Sequence, residues 1–429
     1  MKTLIKGATI VACDEQNTVI QGDVVVDNNV IVFVGNDYKE KCDKVIDADG
    51  KLLIPGFVNT HCHATMSLFR NLGENTDFSN WWYDVMRPLE AQLQPKDYEL
   101  GCKLSALEMI RNGITTVTDL YMRSDICAKA FGEYGLRCNI SIGAITGQEI
   151  LDEKELDRQK STVLKANPNA KIILFAHAIY SCDESQLAEV SRYARLHKLP
   201  LTIHCSETMT EVGECYTKYG VTPVGYLESL GFFDGTKTIL AHCVHCDRDD
   251  VEILKKYDTH ISSNPSSNLI LASGVAPIYS FMSNGLNVCL GTDGPASNNS
   301  LDFFKEMFLL DNLQSGVLNN AKALTCEQTL KCATINGARA LGYNNLGMIK
   351  KGFLADLVLI DLNGVNMQPL NNNVSAIVNS ANPSNVYMTM VDGKVLYMDG
   401  KYTFDVDQKA LFKECNERIT KLKSIAKVN

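Results

Sequence analysis

Between residues 55 and 345 the sequence alternates short apolar segments rich in β-branched residues with longer segments of helical period. This alternation is typical of βαβ units around a parallel sheet. Eight of the apolar segments are strand candidates: Gly56–Thr60, Gly113–Leu120, Arg137–Ile145, Lys171–His177, Leu199–His204, Lys237–His242, His260–Ser263 and Leu286–Asp293. Eight strands and their helices close a barrel of about 250 residues, so the pattern predicts an α/β protein with a TIM (β/α)8 barrel.

The two ends of the chain differ from this middle region, because short strands and turn residues replace the helical patterns. Residues 346–429 contain three strand candidates: Gly347–Asp361, Ala376–Val378 and Tyr387–Tyr397. A terminal helix is predicted over Gln408–Ala426. We expect residues 1–54 and 346–429 to form one composite β-sandwich domain with this helix, beside a barrel domain of residues 55–345.

Local signals also predict helix starts. Ser181 and Glu184 have the spacing of a capping box, so they are expected to begin the helix after the fourth barrel strand.

Composition and charge exclude several classes of protein. The 429 residues are 45% hydrophobic and 21% charged, as in globular proteins with a large core. The net charge of −9 and the lack of a basic stripe argue against nucleic acid or an anionic membrane as a partner. We find no secretory signal and no apolar run of roughly 20 residues. Fifteen scattered cysteines suit reduced thiols, so we expect a cytoplasmic protein.

Histidine and carboxylate side chains follow the predicted strands at the end where barrel enzymes carry their chemistry. His61 and His63 follow the first strand, and they share a face because side chains alternate along a strand. His204 ends the fifth strand and Asp293 ends the eighth. We therefore predict that His61, His63, His204 and Asp293 hold one divalent metal ion per chain.

Imidazole and carboxylate ligands without thiolate suit Zn²⁺, with Fe²⁺ as the alternative. A single histidine at a strand end is more often a packed polar group than a ligand. Here, however, five of the eight histidines lie at predicted strand ends: His61, His63, His177, His204 and His242. The pair in Cys243-Val-His-Cys246 is expected to pack beside the sixth strand, because no second pair follows at zinc-finger spacing.

Four motifs resemble the amidohydrolase superfamily, and most closely its branch of methylthioadenosine/S-adenosylhomocysteine deaminases and related chlorohydrolases. They are Pro55-Gly-Phe-Val-Asn-Thr-His-Cys-His63, His204-Cys-Ser-Glu207, Ala241-His-Cys243 and Gly291-Thr-Asp-Gly-Pro-Ala-Ser-Asn-Asn299. The resemblance continues into the terminal region at Gly352-Phe-Leu-Ala-Asp-Leu-Val-Leu-Ile-Asp361. It implies one metal ion and hydrolytic deamination of an adenine nucleoside.

The resemblance also implies catalytic roles for three residues. Glu207 is expected to contact the base and shuttle a proton to its ring nitrogen, because attack on an aromatic amidine carbon stalls until that nitrogen is protonated. Asp293 is expected to take a proton from the attacking water and to help pass it to the departing ammonia. His242 is expected to hydrogen-bond the attacking oxygen or the developing tetrahedral centre.

Three further residues are candidates for substrate binding. By the resemblance, His177 at the end of the fourth strand and Glu90 in the long segment after the first strand contact the ribose. A carboxylate accepts from two vicinal hydroxyls at once, which suits Glu90 to a cis-diol. Trp82 lies in the same segment as Glu90, and we expect it either to form a wall of the pocket or to pack in the interior.

Members of this branch that use S-adenosylhomocysteine carry arginines at the end of the third strand and in the loop after it, and this sequence lacks them. Ile142 occupies the position at the end of the third strand, and the following Gly147–Asp157 segment is acidic and contains no arginine. Ile270 replaces a lysine common after the seventh strand. Because an acidic loop repels a carboxylate, we expect a neutral or apolar 5′ group, as in adenosine, 5′-deoxyadenosine or methylthioadenosine.

Two alternatives stay open at this point. The same metal site could serve a free-base or triazine-type aminohydrolase or a chlorohydrolase, and Glu90 discriminates because a free base has no ribose diol. A non-catalytic subunit that kept the fold is disfavoured by the intact set of ligands and Glu207. The chain is compatible with a homo-oligomer, for which the segment after the first barrel strand is the candidate interface.

Overall fold

The computed structural model describes residues 1–428, and its first strands belong to a sheet that is separate from the barrel. These strands are β1 Lys2–Val11, β2 Val19–Asp27, β3 Val30–Gly35, β4 Lys44–Asp47 and β5 Lys51–Pro55. β1 pairs antiparallel with β2 and parallel with β4 and β5. The chain then enters the barrel directly, since Gly56 separates β5 from the first barrel strand.

All eight predicted barrel strands are present, and each pairs in parallel with its sequence neighbour. They are β6 Phe57–Cys62, β7 Ile114–Asp119, β8 Arg137–Ala144, β9 Lys171–Ala178, β10 Pro200–Cys205, β11 Lys237–His242, β12 His260–Ser263 and β13 Asn287–Leu290. The backbone N–H groups of Thr292 and Asp293 donate to the carbonyl of His61 at 3.1 and 3.0 Å, which joins the last strand to the first. Closure therefore brings two predicted ligands together.

Helices connect the barrel strands. The longer ones span Pro95–Arg111, Ser124–Tyr134, Glu153–Ala166, Glu184–His197, Met209–Tyr219, Pro223–Ser229, Arg248–Lys256, Phe303–Leu318 and Cys326–Cys332. Shorter turns of helix span Ala64–Phe69, Phe78–Asn80, Trp81–Met86, Arg87–Glu90, Pro265–Ile270, Ile278–Ser283, Pro295–Asn298 and Ile335–Ala340. None of the helices within residues 1–428 combines the length and the apolar character needed to cross a bilayer.

The predicted capping box at Ser181 and Glu184 is wrong. Asp183 caps this helix instead, and its partner in the capping box is Gln186. Aspartate is as good a cap as serine, and its use leaves the Ser181 hydroxyl free to bond His177 Nδ1 at 2.7 Å.

The C-terminal strands complete the first sheet. They are β14 Leu357–Asp361, β15 Val386–Val391, β16 Lys394–Met398 and β17 Lys401–Tyr402. The sheet order is β17-β16-β15-β14-β5-β1-β2-β3, with β4 beside β1, so both chain ends build one sheet over a shared apolar cluster. The predicted fold class is confirmed, and the terminal helix spans Gln408–Ala426 as expected. The domain boundaries at 54/55 and 345/346 stay a prediction.

Two of the predicted C-terminal strands differ from the structure. Ala376–Val378 lies in a π-helical turn, Ala376–Ser380, and Gly347–Asp361 is extended only over β14. The Asn372 side chain accepts from the Ser375 N–H and starts a helical turn immediately before Ala376. Ile377 and Val378 are both buried, which is incompatible with a strand that buries only one face.

An ion-pair network ties the barrel to the terminal sheet. Arg137 at the start of β8 pairs with both oxygens of Asp356, at 2.9 and 3.0 Å, and with Asp392 at 3.0 Å. The Asp356 side chain is 1% exposed. Removing one partner of a buried pair leaves an uncompensated charge, whereas exposed pairs contribute little.

Substitution of Arg137→Met is therefore expected to lower the free energy of unfolding by about 3 kcal/mol. The matched control is Arg192→Met, which removes an exposed arginine paired with Glu153 and Glu189 and is expected to cost less than about 1 kcal/mol. Urea denaturation of both variants measures the difference. Equal losses would contradict a stabilising role for the Arg137 network.

Candidate active site

The four predicted metal ligands meet at the carboxyl end of the barrel. The Nε2 atoms of His61 and His63 lie 3.4 and 3.3 Å from Asp293 Oδ1. His204 Nε2 lies 3.2 Å from His61 Nε2 and 3.3 Å from His63 Nε2. His61 is fully buried at the base of the group, and the other three side chains line the cavity above it. Residues remote in the sequence thus converge within hydrogen-bond distance.

The hydrogen bonds of these imidazoles show that the cluster fits a cation. Nδ1 of His63 lies 2.6 Å from the Leu120 carbonyl, and Nδ1 of His204 lies 2.8 Å from the His177 carbonyl. A proton on each Nδ1 leaves the Nε2 lone pairs facing each other, and two lone pairs make no hydrogen bond. In tetrahedral zinc sites with bonds of about 2.0–2.1 Å, ligand atoms are separated by roughly 3.3 Å. The donor set and its spacing therefore match a divalent ion.

Burial sets the charge state of this cluster. It lowers the pKa of His61 to about 4 and, together with the neighbouring imidazoles, holds the pKa of His204 well below its usual value. Burial opposes ionisation of Asp293, but the adjacent His61 and His63 side chains outweigh it and hold the pKa of this carboxyl well below its usual value. Asp293 Oδ2 also accepts from the hydroxyls of Ser267 and Ser297 at 2.6 and 2.8 Å. Burial opposes protonation of His63, but the adjacent Asp293 carboxylate outweighs it and raises the pKa of this ring. The neutral imidazoles of His61 and His204 and the ionised carboxylate of Asp293 are the forms that bind metals.

Left-handed backbone conformations end three of the strands that carry the site. Ser206, His242 and Asp293 have φ values of 50°, 73° and 60°. Such values are unfavourable for residues other than glycine, and they cluster at functional sites in proteins. At these three residues the left-handed conformation turns the chain at the end of a strand, so that the loop that follows lies at the mouth of the barrel.

Glu207 and His242 lie beside the metal-ligand cluster. Glu207 Oε2 is 3.8 Å from His242 Nε2, and Glu207 Oε1 accepts from the Ser273 hydroxyl at 3.4 Å. His242 Nδ1 donates to Asn268 Oδ1 at 2.8 Å, which leaves Nε2 facing Glu207 and the cavity. Burial raises the pKa of the Glu207 carboxyl, so this group holds a proton more readily than an exposed glutamate does.

Glu90 reaches the same cavity from the segment above the barrel. Its Oε1 accepts from the Tyr121 hydroxyl at 2.5 Å, and burial raises its pKa. Tyr121 follows β7 and also lines the cavity. One carboxylate oxygen is therefore fixed by Tyr121, while the other is available to a ligand.

His177 and Trp82 form one wall of the cavity. Their rings stack with centroids 5.6 Å apart and an interplanar angle of 21°. His177 Nδ1 bonds the Ser181 hydroxyl, and its carbonyl accepts from His204, so it is tied to the metal-ligand cluster through the backbone. Burial lowers the pKa of His177 to about 3, which keeps the ring neutral. Trp82 thus lines the pocket, the first of the two roles considered for it.

The cavity has a volume of about 400 Å³ and is lined by eight of the nine predicted site residues. Sequence reasoning missed Tyr121, Phe175, Ser273 and Asn268, which hold or flank the predicted groups. A signal existed for Tyr121, because it follows a predicted strand end. Ser273 and Asn268 lie in the segment after β12, where only Ile270 was considered.

We expected the acidic segment after β8 to act on the 5′ group in the cavity, but its carboxylates do not line the cavity. Of residues 147–157, only Gln148 is among the lining residues. Glu149 accepts from the backbone of Thr146 and Gln148, Asp152 caps a helix, and Asp157 accepts from Tyr193. Glu153 and Glu155 pair with Arg192 and Arg158. Because these carboxylates have partners of their own, they give no ground for expecting a neutral 5′ group.

Ile270 gives no evidence about the 5′ group either. It is 40% exposed and is not among the cavity-lining residues, whereas its neighbour Leu271 is.

The fold and the site define a class: a barrel hydrolase with groups of histidine and aspartate side chains, spaced to hold a metal ion, at the carboxyl ends of its strands. The model of the amidohydrolase family matches residues 52–396. The chain belongs to the amidohydrolase family and is accordingly a metal-dependent enzyme that hydrolyses carbon–nitrogen bonds.

Named relatives resemble the whole chain. It is 36% identical to a 5-methylthioadenosine/S-adenosylhomocysteine deaminase of Caldicellulosiruptor saccharolyticus, over 100% of this chain and 99% of the relative. It is 38% identical to a 5'-deoxyadenosine deaminase of Methanobrevibacter smithii, over 95% of each chain. Among solved structures, an adenosine deaminase from Xanthomonas campestris with bound zinc has a TM-score of 0.93 at 28% identity, over 98% of each chain.

Proposed function

We propose that this protein hydrolytically deaminates an adenine nucleoside, with water adding at C6, ammonia leaving and the inosine analogue remaining. One observation carries the proposal. One cavity is lined by His63, His204, Asp293 and Glu207, with the fully buried His61 beneath them, and by Glu90 on its wall. This arrangement suits a ligand with a reactive base at one end and a diol further out.

Each residue near the base has a defined task in this proposal. Glu207 protonates the ring nitrogen next to the attacked carbon, and burial raises its pKa, which favours the protonated form that this step needs. Asp293 accepts the proton lost by the attacking water and passes it to the departing amine. His242 Nε2 hydrogen-bonds the oxygen that adds to the ring, because Asn268 holds the imidazole in a fixed orientation.

We assign one divalent ion to His61, His63, His204 and Asp293, and Zn²⁺ as its identity, with Fe²⁺ as the alternative. The donor set of three imidazoles and one carboxylate supports this choice, as does the zinc in the related adenosine deaminase structure. When bound, the ion would supply Lewis-acid activation of the attacking water.

The ribose is assigned to the wall formed by Glu90, Trp82 and His177. Glu90 accepts from the vicinal hydroxyls, while Tyr121 fixes the orientation of the carboxylate. Trp82 and His177 form a flat aromatic surface beside it. A free base or a triazine would leave the second oxygen of Glu90 without a partner, so the nucleoside is favoured over the free-base, triazine and chlorohydrolase alternatives.

A panel of nucleosides and nucleobases tests the proposal directly. Purified protein loaded with Zn²⁺ is incubated with adenosine, 5′-deoxyadenosine, methylthioadenosine, S-adenosylhomocysteine, adenine and a triazine. The absorbance change from adenine to hypoxanthine and the release of ammonia are followed. Turnover of the free base or the triazine, but of no nucleoside, would overturn the proposal.

Substitution of Glu90→Gln is expected to lower kcat/KM for adenosine about tenfold or more, because a hydrogen bond to a charged acceptor becomes a neutral one. The comparison substrate is 2′,3′-dideoxyadenosine, which lacks the diol. In the wild type adenosine should be far the better substrate, and in the variant the two should become similar. If the preference for adenosine persists unchanged in Glu90→Gln, the diol is bound elsewhere.

Partners and location form part of the same proposal. The net charge of −9 supports a small-molecule partner and disfavours nucleic acid and anionic membranes. The cysteines are mostly buried free thiols, which supports a reducing cytoplasm. Self-association through the segment after β6 stays a hypothesis, and sedimentation of the purified protein tests it.

A further inference from the structure

Arg87 lies at the mouth of the cavity without an acidic partner. It is exposed, lines the cavity, and its guanidinium carbon lies 5.6 Å from the centre of the Tyr83 ring. Among residues 1–428, no carboxylate forms an ion pair with it. Nearby arginines differ, since Arg123 pairs with Asp125 and Arg158 pairs with Glu155. The cation of Arg87 is therefore available to a ligand.

The charges that line the cavity are separated along its length. Its three carboxylates, Glu90, Glu207 and Asp293, lie deeper, and each already accepts from a neighbouring hydroxyl. The exposed end carries Arg87 and the neutral side chain of Gln148, and Glu149 is turned to the backbone of its own loop. Glu90 lies one helical turn from Arg87 and interacts with its charge, but the two side chains form no ion pair, so the guanidinium at the mouth can still bind an anionic group.

This charge lies where a 5′ substituent would emerge, an inference that rests on the proposed function. If the base occupies the closed end and Glu90 binds the diol, the 5′ carbon points to the open end. Arg87 precedes Glu90 by three residues on one helical turn, which places the two side chains on one face with roughly 5–6 Å between Cβ atoms. A flexible arginine there can reach a group several bonds beyond the ribose.

We propose that Arg87 forms a subsite for an anionic group at the end of the 5′ substituent, in the exposed part of the cavity that Gln148 also lines. The shared chemistry is that of a carboxylate or a phosphate, both of which match the planar fork of arginine. A carboxylate on a 5′-thioether amino acid and a phosphate on the 5′ oxygen are the two sources. This proposal replaces the earlier prediction, made from the acidic loop, that the substrate has a neutral 5′ group.

The test compares three substrates in four proteins. The substrates are S-adenosylhomocysteine, AMP and the neutral methylthioadenosine, and the proteins are the zinc-loaded wild type, Arg87→Met, Arg87→Lys and Arg192→Met. The measured quantity is the ratio of kcat/KM for each anionic substrate to that for methylthioadenosine, because the ratio cancels general effects on folding. Arg192 is a matched control, since it is an exposed arginine that does not line the cavity.

We expect Arg87→Met to lower the ratio for at least one anionic substrate about tenfold to a hundredfold, as for loss of a charge-assisted hydrogen bond. Arg87→Lys should lose less, and Arg192→Met should leave the ratio unchanged. The effect should shrink at high salt, because the arginine is exposed. Dependence seen with S-adenosylhomocysteine identifies the carboxylate, and dependence seen with AMP identifies the phosphate.

Two results would overturn the subsite. One is a wild type that deaminates methylthioadenosine but neither nucleoside with an anionic 5′ group, and the other is a ratio that Arg87→Met leaves unchanged. A wild type that deaminates none of these three, and neither adenosine nor 5′-deoxyadenosine, would instead refute the proposed function itself, so the two failures are distinguishable.

Discussion

Replacement of Glu207 by glutamine is expected to lower kcat about a thousandfold while the protein keeps its full content of metal. The side chain is buried beside the four predicted metal ligands, and it is not among the side chains whose spacing suits a metal ion. Glutamine has the same shape and retains an acceptor for Ser273, but it cannot carry a proton to the ring nitrogen. General acid–base groups typically contribute about 10²- to 10⁴-fold, and here the ring stays aromatic until it is protonated.

The experiment needs metal content, kcat and a matched control. Glu214→Gln makes the same substitution at an exposed position on the following helix, and it should leave both quantities unchanged. A variant Glu207→Gln that lost its metal would make Glu207 part of the metal site. A variant that kept near-normal kcat would remove the proton shuttle from the mechanism.

Exhaustive chelation is expected to reduce deamination to the uncatalysed background, and added Zn²⁺ is expected to restore it. Without a cation, His204 Nε2 lies 3.2 and 3.3 Å from the Nε2 atoms of His61 and His63, and these two atoms lie 3.4 and 3.3 Å from the Asp293 carboxylate. Metal should therefore also stabilise the fold, by about 4 kcal/mol when the free ion is present at a thousand times its dissociation constant.

The stability effect gives a readout that does not depend on turnover. Thermal unfolding of the chelated protein should occur at lower temperature, and Zn²⁺ should reverse this shift. His204→Ala should abolish both the activity and the shift. The control His197→Ala removes a ring that packs against Tyr193 away from the cavity, and it should preserve both. Full activity after chelation would end the metal assignment.

Local sequence patterns were sufficient for the barrel because each strand carries its own signal. A buried parallel strand must be apolar on both faces. The apolar runs in Lys171–His177 and Lys237–His242 therefore predict strands without any information from the rest of the chain. The same reasoning failed at Ala376–Val378, where three small or β-branched residues resemble a strand but lie in a helical turn started by Asn372. Short apolar runs do not distinguish the two states.

The sequence alone placed histidines and carboxylates at strand ends, because the alternation of strands and helices already defines which end of each strand is functional. Only the closed barrel determined that His61 and Asp293 touch, since 231 intervening residues separate them and hydrogen bonds between the first and last strands join them.

Only the tertiary structure showed that the carboxylates of the acidic loop do not line the cavity and that Arg87 forms no ion pair. Charge in a sequence is a property of composition, whereas the partner of a charge depends on which surfaces folding brings together.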